Sequence, residues 1–99
     1  MKYNVEFVYP ADLELDDTVV YYNIIMDNLG NRFFQEVSKA IERIIQFPEA
    51  WTKIGKVTRR CLIDKFPYAL FYFVENYNIY ILAVANLRRE PEYYLSRIL

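Results

Sequence analysis

Two consecutive segments in the second half of the chain are apolar on both of their alternating faces, and this feature constrains the fold more than any other. The alternating sets are Leu70, Tyr72 and Val74 against Ala69, Phe71 and Phe73 in residues 68–74, and Ile79, Ile81 and Ala83 against Tyr80, Leu82 and Val84 in residues 77–86. An antiparallel sheet with one solvated face alternates polar and apolar residues instead. Both faces of this sheet therefore need a cover.

The rest of the chain predicts two helices and further strands. Strand patterns cover residues 2–8, 57–64, 68–74 and 77–86, and helical patterns cover residues 12–28 and 32–47. Strict alternation marks the first strand, and three- and four-residue apolar spacing marks the second helix. The order β-α-α-β-β-β predicts an α+β domain in which a helix hairpin packs on an antiparallel meander.

Finer signals locate the faces and ends of the helices. In the first helix the apolar stripe is predicted from Leu13, Val20 and Ile24, with Tyr21 beside it. Between the helices, Gly30 is predicted to take a left-handed cap conformation and Asn31 to cap the second helix.

A helix hairpin can cover only one face of a four-stranded sheet, so the second face needs another cover. The tail Tyr93–Leu99 is one candidate. A partner chain is the other, and is favoured because exposed apolar patches of several hundred Å² usually mark interfaces. On this hypothesis Tyr72 or Tyr80 anchors a partner segment, and the isolated chain self-associates.

Composition excludes several classes of site. A chain of 99 residues suits one domain, residues 1–99. It contains no His, which excludes His-based triads and His-ligated metals, and its one cysteine, Cys61, excludes an intrachain disulfide. We expect no metal and no cofactor. Neither a signal-peptide core nor a membrane span is apparent, so the expected compartment is the cytoplasm, without a membrane partner.

Charge is distributed unevenly along the chain. Residues 1–30 hold six acidic and one basic side chain, a net of −5, whereas residues 56–99 hold four acidic and seven basic side chains, a net of +3. Such a separation favours a surface that prefers anionic partners, although ordinary surface charge also explains it.

Four motifs together resemble the RelE/ParE superfamily of bacterial toxins. They are Arg59-Arg60, Phe66-Pro67-Tyr68, Ala83-Val84-Ala85 and Arg88-Arg89-Glu90-Pro91-Glu92-Tyr93-Tyr94. The resemblance extends over nearly the whole chain in the family's element order. It implies the toxin of a type II toxin–antitoxin system, of the kind linked to plasmid stabilization and growth arrest. The implied partner is a small antitoxin, in a hetero-oligomer, with a homodimer as a further possibility.

The family contains two mechanisms with different site residues. RelE-like members are metal-independent, ribosome-dependent mRNA endonucleases, and the match implies Arg60, Arg89 and Tyr94 as their catalytic residues. ParE-like members bind and inhibit DNA gyrase. For target binding the match implies the set Arg59, Arg60, Arg88, Arg89 and Tyr93.

The ParE-like mechanism is favoured, chiefly because Ala69 stands where RelE has an arginine. Asn86-Leu87 also departs from the His or Gly that often precedes the arginine pair in close relatives. A decayed toxin that only binds a protein partner is the third alternative. Cys61 is predicted to be a small core residue, since no His can activate its thiol.

Overall fold

The computed structural model describes residues 2–99, and Met1 lies outside the described part. In chain order the elements are β1 (Asn4–Phe7), α1 (Ala11–Ile25), α2 (Leu29–Gln46), β2 (Thr52–Lys53), β3 (Arg59–Leu62), β4 (Tyr68–Glu75), β5 (Asn78–Asn86) and α3 (Glu92–Leu95). The predicted order is confirmed, with β2 and α3 as short additions. No helix in this part of the chain is long and apolar enough to cross a membrane.

The strands form one five-stranded sheet in the order β1-β5-β4-β3-β2. β3, β4 and β5 make the predicted antiparallel meander, and β2 adds a two-residue antiparallel edge. β1 lies parallel to β5, with Asn4 opposite Asn78 and Phe7 opposite Ile81. The sheet is therefore mixed, and β1 pairs with only the first half of β5.

The helix hairpin covers one face of the sheet. The buried side chains of α2 are those of Phe33, Glu36, Val37, Ala40 and Ile44. They pack on the inward residues of the meander, including Leu70 and Ile79. Tyr72 lies in the same cluster with no exposed surface, and its hydroxyl donates a hydrogen bond of 2.6 Å to the Pro48 carbonyl. The prediction that Tyr72 anchors a partner segment is therefore wrong.

The apolar stripe predicted for α1 faces solvent, so that prediction is also wrong. Leu13, Val20 and Ile24 are 45%, 58% and 80% exposed. The helix instead packs through a different side, formed by Ala11, Glu14, Leu15, Val19 and Tyr22. Apolar residues occur on both sides of α1, so periodicity alone did not distinguish the packed side from the exposed one.

The turn between the helices differs from the prediction. Asn28 takes the left-handed conformation, with φ 69°, and α2 already begins at Leu29, so Asn31 lies inside the helix. Gly30 is helical and buried against α1, where a Cβ atom would overlap the Val19 carbonyl oxygen. Its N–H donates to the Asn23 side-chain oxygen at 2.7 Å. Gly30 therefore permits close approach of the helices and does not cap one.

A β-bulge changes the alternation in β5. Phe71 lies opposite Ala83 and Tyr72 lies opposite Ile81, which leaves Leu82 as an extra residue. An extra residue moves the side chains beyond it to the opposite faces. Ala83 consequently lies on the second face, and Val84 joins the core under the helices. The sequence-based face assignment is confirmed for β4 and corrected for Ala83 and Val84.

The tail of the chain covers much of the second face. Tyr94 is buried there, and Ile54 and Ile98 are partly buried, on a patch formed by Ala69, Phe71, Ala83 and Ala85. The Leu99 carbonyl accepts hydrogen bonds from the N–H groups of Val57 and Thr58, both at 3.1 Å. The tail, and not a partner chain, thus covers this patch. At the other end of the face, the rings of Phe73 and Tyr80 stack at 4.9 Å and stay partly exposed.

A carboxylate and a guanidinium bind the backbone of the half of β5 that has no neighbouring strand on the β1 side. β1 ends before Val84, so the backbone groups beyond Ile81 have no strand beside them on that side. The Glu14 carboxylate accepts the Val84 N–H at 3.0 Å and two Arg97 hydrogen bonds at 2.7 and 3.1 Å. Arg97 also donates to the Leu82 carbonyl at 3.1 Å. This ion pair joins α1, β5 and the tail, and it satisfies backbone groups that a sheet edge would otherwise leave open.

We predict that Glu14→Gln lowers the free energy of unfolding by about 2–3 kcal/mol, because the substitution removes the charge and replaces one of the two accepting oxygens with an NH2 group that cannot accept from Arg97. Urea denaturation followed by circular dichroism measures this change. The matched control is Glu6→Gln, an exposed carboxylate on β1, for which we expect a change within about 0.5 kcal/mol. Equal stabilities of the two variants would contradict the role given to Glu14.

Candidate functional site

The chain turns away from the sheet directly after β5 and presents Arg88 and Arg89 to solvent. The Asn86 side-chain oxygen accepts the Arg88 N–H at 2.9 Å, and the Asn86 carbonyl accepts the Arg89 N–H at 3.1 Å. An asparagine side chain that accepts from the N–H two residues later is a common turn former. Pro91 follows, and α3 starts one residue after it. The position of Arg89 is thus set by a defined turn.

The ring of Tyr93 holds two guanidinium groups. The Arg89 Cζ atom lies 4.9 Å from the ring centroid, and the Arg97 Cζ atom lies 5.6 Å from it. Both distances are within the range of cation–π attraction. Arg97 is already paired with Glu14, whereas no ion pair within residues 2–99 involves Arg89. The Arg89 guanidinium is therefore positioned by an aromatic ring, with its donors available for a ligand or partner.

Tyr94 points the other way. Its side chain is 8% exposed and packs edge-on against Phe71, with 4.7 Å between ring centroids. This is a packing contact between the tail and the sheet. The catalytic role that the family resemblance implies for Tyr94 stays a prediction, and Tyr93 is the more exposed tyrosine of the pair.

Arg59 and Arg60 lie side by side on β3 but face opposite sides of the sheet. Arg59 shares the helix side with Tyr72, and one of its terminal nitrogens donates to the Trp51 carbonyl at 2.8 Å. Arg60 shares the tail side with Phe71, and its buried Nε atom has no hydrogen-bond partner among residues 2–99. Arg59 therefore anchors the loop before β2, while Arg60 keeps a free donor.

The predicted arginines form two separate groups. Arg60 lies opposite Phe71, which lies opposite Ala83. Two strand spacings and three residues of β5 place the backbone of Arg60 roughly 14 Å from that of Asn86. The cavity beside Arg89 is lined by neither Arg59 nor Arg60. The structure thus brings Arg88, Arg89 and Tyr93 together, and it does not join Arg60 to them.

A cavity of about 390 Å³ lies between α1 and the chain that follows β5. Its lining residues are Glu14, Asp17, Thr18, Tyr21, Tyr68, Val84, Asn86, Arg89 and Tyr93. Asp17 and Tyr21 are not among the site residues predicted from the sequence. Their signal was the spacing of positions 14, 17, 18 and 21, which places four polar side chains on one side of a helix.

Cys61 is buried and unsuited to nucleophilic chemistry. Its side chain has no exposed surface, and it lies in the core beneath the helices. Burial raises the pKa of the Cys61 thiol, and the nearby Arg43 opposes this shift only in part. The reactive thiolate is therefore disfavoured. Within residues 2–99, no group of three or more His, Cys, Asp or Glu side chains could hold a metal ion.

Comparison with known proteins establishes the fold. A chain in the solved structure of the chromosomal ParDE TA system from P. aeruginosa matches with a TM-score of 0.74. The match covers 87% of this chain and 97% of that chain, at 14% sequence identity. No protein-family model matches the sequence, and no curated protein matches it. The α+β prediction drawn from the element order is confirmed, and so is the RelE/ParE resemblance at the level of the fold, which is the ParE-like fold of this neighbour.

We predict that the Cys61 thiol does not react with a disulfide reagent at pH 8 while the protein is folded. Burial and the raised pKa of the thiol both suppress the reactive thiolate. The release of thionitrobenzoate measures the reaction, and the control is the same protein in guanidinium chloride, where one equivalent should react at once. Rapid reaction of the native protein would contradict the core assignment of Cys61.

Proposed function

We propose that this chain is the toxin of a type II toxin–antitoxin pair and that it arrests growth by ParE-like inhibition of DNA gyrase. The observation that carries the proposal is the fold shared with a chain of a ParDE toxin–antitoxin structure over 97% of that chain's length. The basic turn after β5 supports it, since Arg88 and Arg89 are exposed and suited to contact a target. Gyrase lies in the cytoplasm, which is then the compartment of action.

Three features favour a binding mechanism over RNA cleavage. Ala69, where RelE has an arginine, has no exposed surface and lies under the tail. The tyrosine proposed for catalysis, Tyr94, is buried beside it. Arg60 and Arg89 belong to separate groups, whereas a phosphate clamp needs its cations at one point. Inhibition by binding requires none of these arrangements.

One observation favours the RelE-like alternative. The Nε atom of Arg60 is buried and has no hydrogen-bond partner within residues 2–99, so the guanidinium keeps bonding capacity that a bound anion would satisfy. A decayed toxin that retains only its partner is a further alternative. Growth assays separate these classes: induction of the chain alone should stop growth, and co-expression of the neighbouring small gene should restore it. Unimpeded growth at every level of expression would refute both toxin mechanisms.

The exposed stripe of α1 is the surface that we propose for the antitoxin. Leu13, Val20 and Ile24 form an unpaired apolar stripe on one side of the helix. The exposed acidic residues beside it on α1 and on the turn that follows include Asp12, Asp16 and Asp27, and this segment carries no Lys or Arg. An antitoxin segment with apolar side chains flanked by basic ones complements this surface in both respects.

We predict that Arg89→Ala abolishes growth arrest and changes the free energy of unfolding by less than about 0.5 kcal/mol. The side chain is exposed and forms no ion pair with any of residues 2–99, so its loss removes a contact surface and not a structural one. Arg89→Lys should restore toxicity only in part, because an ammonium lacks the planar fork of a guanidinium. Arg32→Ala, an exposed arginine on α2, is the matched control and should remain toxic.

The cellular target of the toxin is identified in the cultures used for the growth assay. Intact messenger together with broken DNA or filamentous cells supports gyrase inhibition. Messenger RNA that is cut within translated codons would contradict gyrase inhibition and support the RelE-like mechanism. Full toxicity of Arg89→Ala would remove Arg89 from the site under either mechanism.

We predict that the double variant Val20→Ser, Ile24→Ser binds the product of the neighbouring small gene at least about tenfold more weakly, because the apolar contact of the stripe is lost. Titration calorimetry at low and moderate salt measures the affinity. In a separate kinetic measurement, the association rate should fall as the salt concentration rises. Leu62→Ser removes an apolar side chain from β3 that is 51% exposed, close to the 58% of Val20, and serves as the control. A larger loss in the control than in the double variant would place the antitoxin elsewhere.

A further inference from the structure

The cavity between α1 and the turn after β5 contains one free charge of each sign. Asp17 on α1 and Arg89 beyond β5 both line it. Within residues 2–99, neither side chain forms an ion pair or a side-chain hydrogen bond. The third charged group of the lining, the Glu14 carboxylate, is neutralised by Arg97 at 2.7 Å. The cavity therefore presents a carboxylate on one wall and a guanidinium on the other.

Each of these two charges belongs to a part of the chain that the fold positions. Arg89 is fixed by the Asn86 turn and by the Tyr93 ring, 4.9 Å from its Cζ atom. Asp17 belongs to a helix that Glu14 ties to β5. A simple anion would be attracted by Arg89 and repelled by Asp17, and a simple cation the reverse. A molecule that carries both charges is attracted at both ends.

From these observations we propose that the cavity binds a zwitterionic α-amino acid with an aromatic side chain. The ligand's ammonium group pairs with Asp17, and its carboxylate forms a bidentate contact with Arg89. The rings of Tyr21 and Tyr93, which are both about half exposed and line the same cavity, provide aromatic contact for the ligand's side chain. The inference does not rest on the toxin proposal, since it uses only the walls of this cavity.

The size of the cavity agrees with this ligand. Its volume of about 390 Å³ is within the range of about 300–1,000 Å³ found for small-molecule sites.

The test is titration of the full chain with L-phenylalanine and with two analogues that each lack one charge. Phenethylamine lacks the carboxylate, and 3-phenylpropionate lacks the ammonium group. We expect saturable binding of L-phenylalanine by calorimetry or NMR, at least about tenfold tighter than that of either analogue. Equal binding of the three compounds, or no saturable binding of L-phenylalanine up to about 10 mM, would overturn the proposal.

Matched variants locate the site. Asp17→Asn and Arg89→Gln should each weaken L-phenylalanine binding at least about tenfold, and 3-phenylpropionate should gain relative affinity for Asp17→Asn, since the repelling carboxylate is gone. Asp16→Asn and Arg32→Gln are controls, exposed and outside the cavity lining. Circular dichroism and thermal unfolding verify that every variant is folded. Loss of binding in the controls as large as in Asp17→Asn would refute the assignment.

The same variants separate this proposal from the toxin proposal. Asp17→Asn is expected to lose L-phenylalanine binding and to keep its effect on growth. Growth arrest without any amino-acid binding would refute only the cavity proposal. Amino-acid binding without growth arrest would refute only the toxin proposal.

Discussion

The Glu14 carboxylate is the group on which the arrangement of this protein depends. β1 pairs with β5 only as far as Ile81, because Pro10 follows soon after and has no N–H for a ladder. The remaining edge of β5 needs other partners, and Glu14 and Arg97 supply them at Val84 and Leu82. One buried ion pair thereby supplies hydrogen bonds to β5 that a longer β1 would otherwise provide. It also fixes α1 and the tail on the same edge of the sheet.

The position of the tail determines both the cover of the second sheet face and the candidate site. Arg97 holds the tail beside β5, which lets Tyr94 pack against Phe71 on one side. On the other side the same short helix directs Tyr93 toward Arg89. The buried tyrosine and the tyrosine of the candidate site are thus neighbours in sequence with opposite orientations. A change at Glu14 should consequently reach the sheet cover and the Arg89 site together.

Sequence patterns predicted the elements well and the faces less well. The alternation of residues 2–8 and the apolar spacing of α2 each indicate one type of secondary structure, and both elements are where they were expected. α1 has apolar residues on two sides, and its exposed stripe was taken for the buried one. In β5, strict alternation failed at Leu82. A bulge depends on how two strands pair, so the sequence of one strand alone does not show where it forms. The family match likewise assigned Arg60 and Arg89 to one site, whereas the sheet separates them.

By itself the sequence determined that this chain folds as an α+β domain with a sheet apolar on both faces and a basic turn after its last long strand. Those properties follow from local periodicity and composition, which are read residue by residue. The tertiary structure alone decided that the tail covers the second face and that Glu14 is buried while Leu13 is exposed. It alone also placed Asp17 across a cavity from Arg89. These outcomes depend on contacts between residues up to 83 positions apart, such as Glu14 and Arg97, and no local pattern encodes which distant groups will meet.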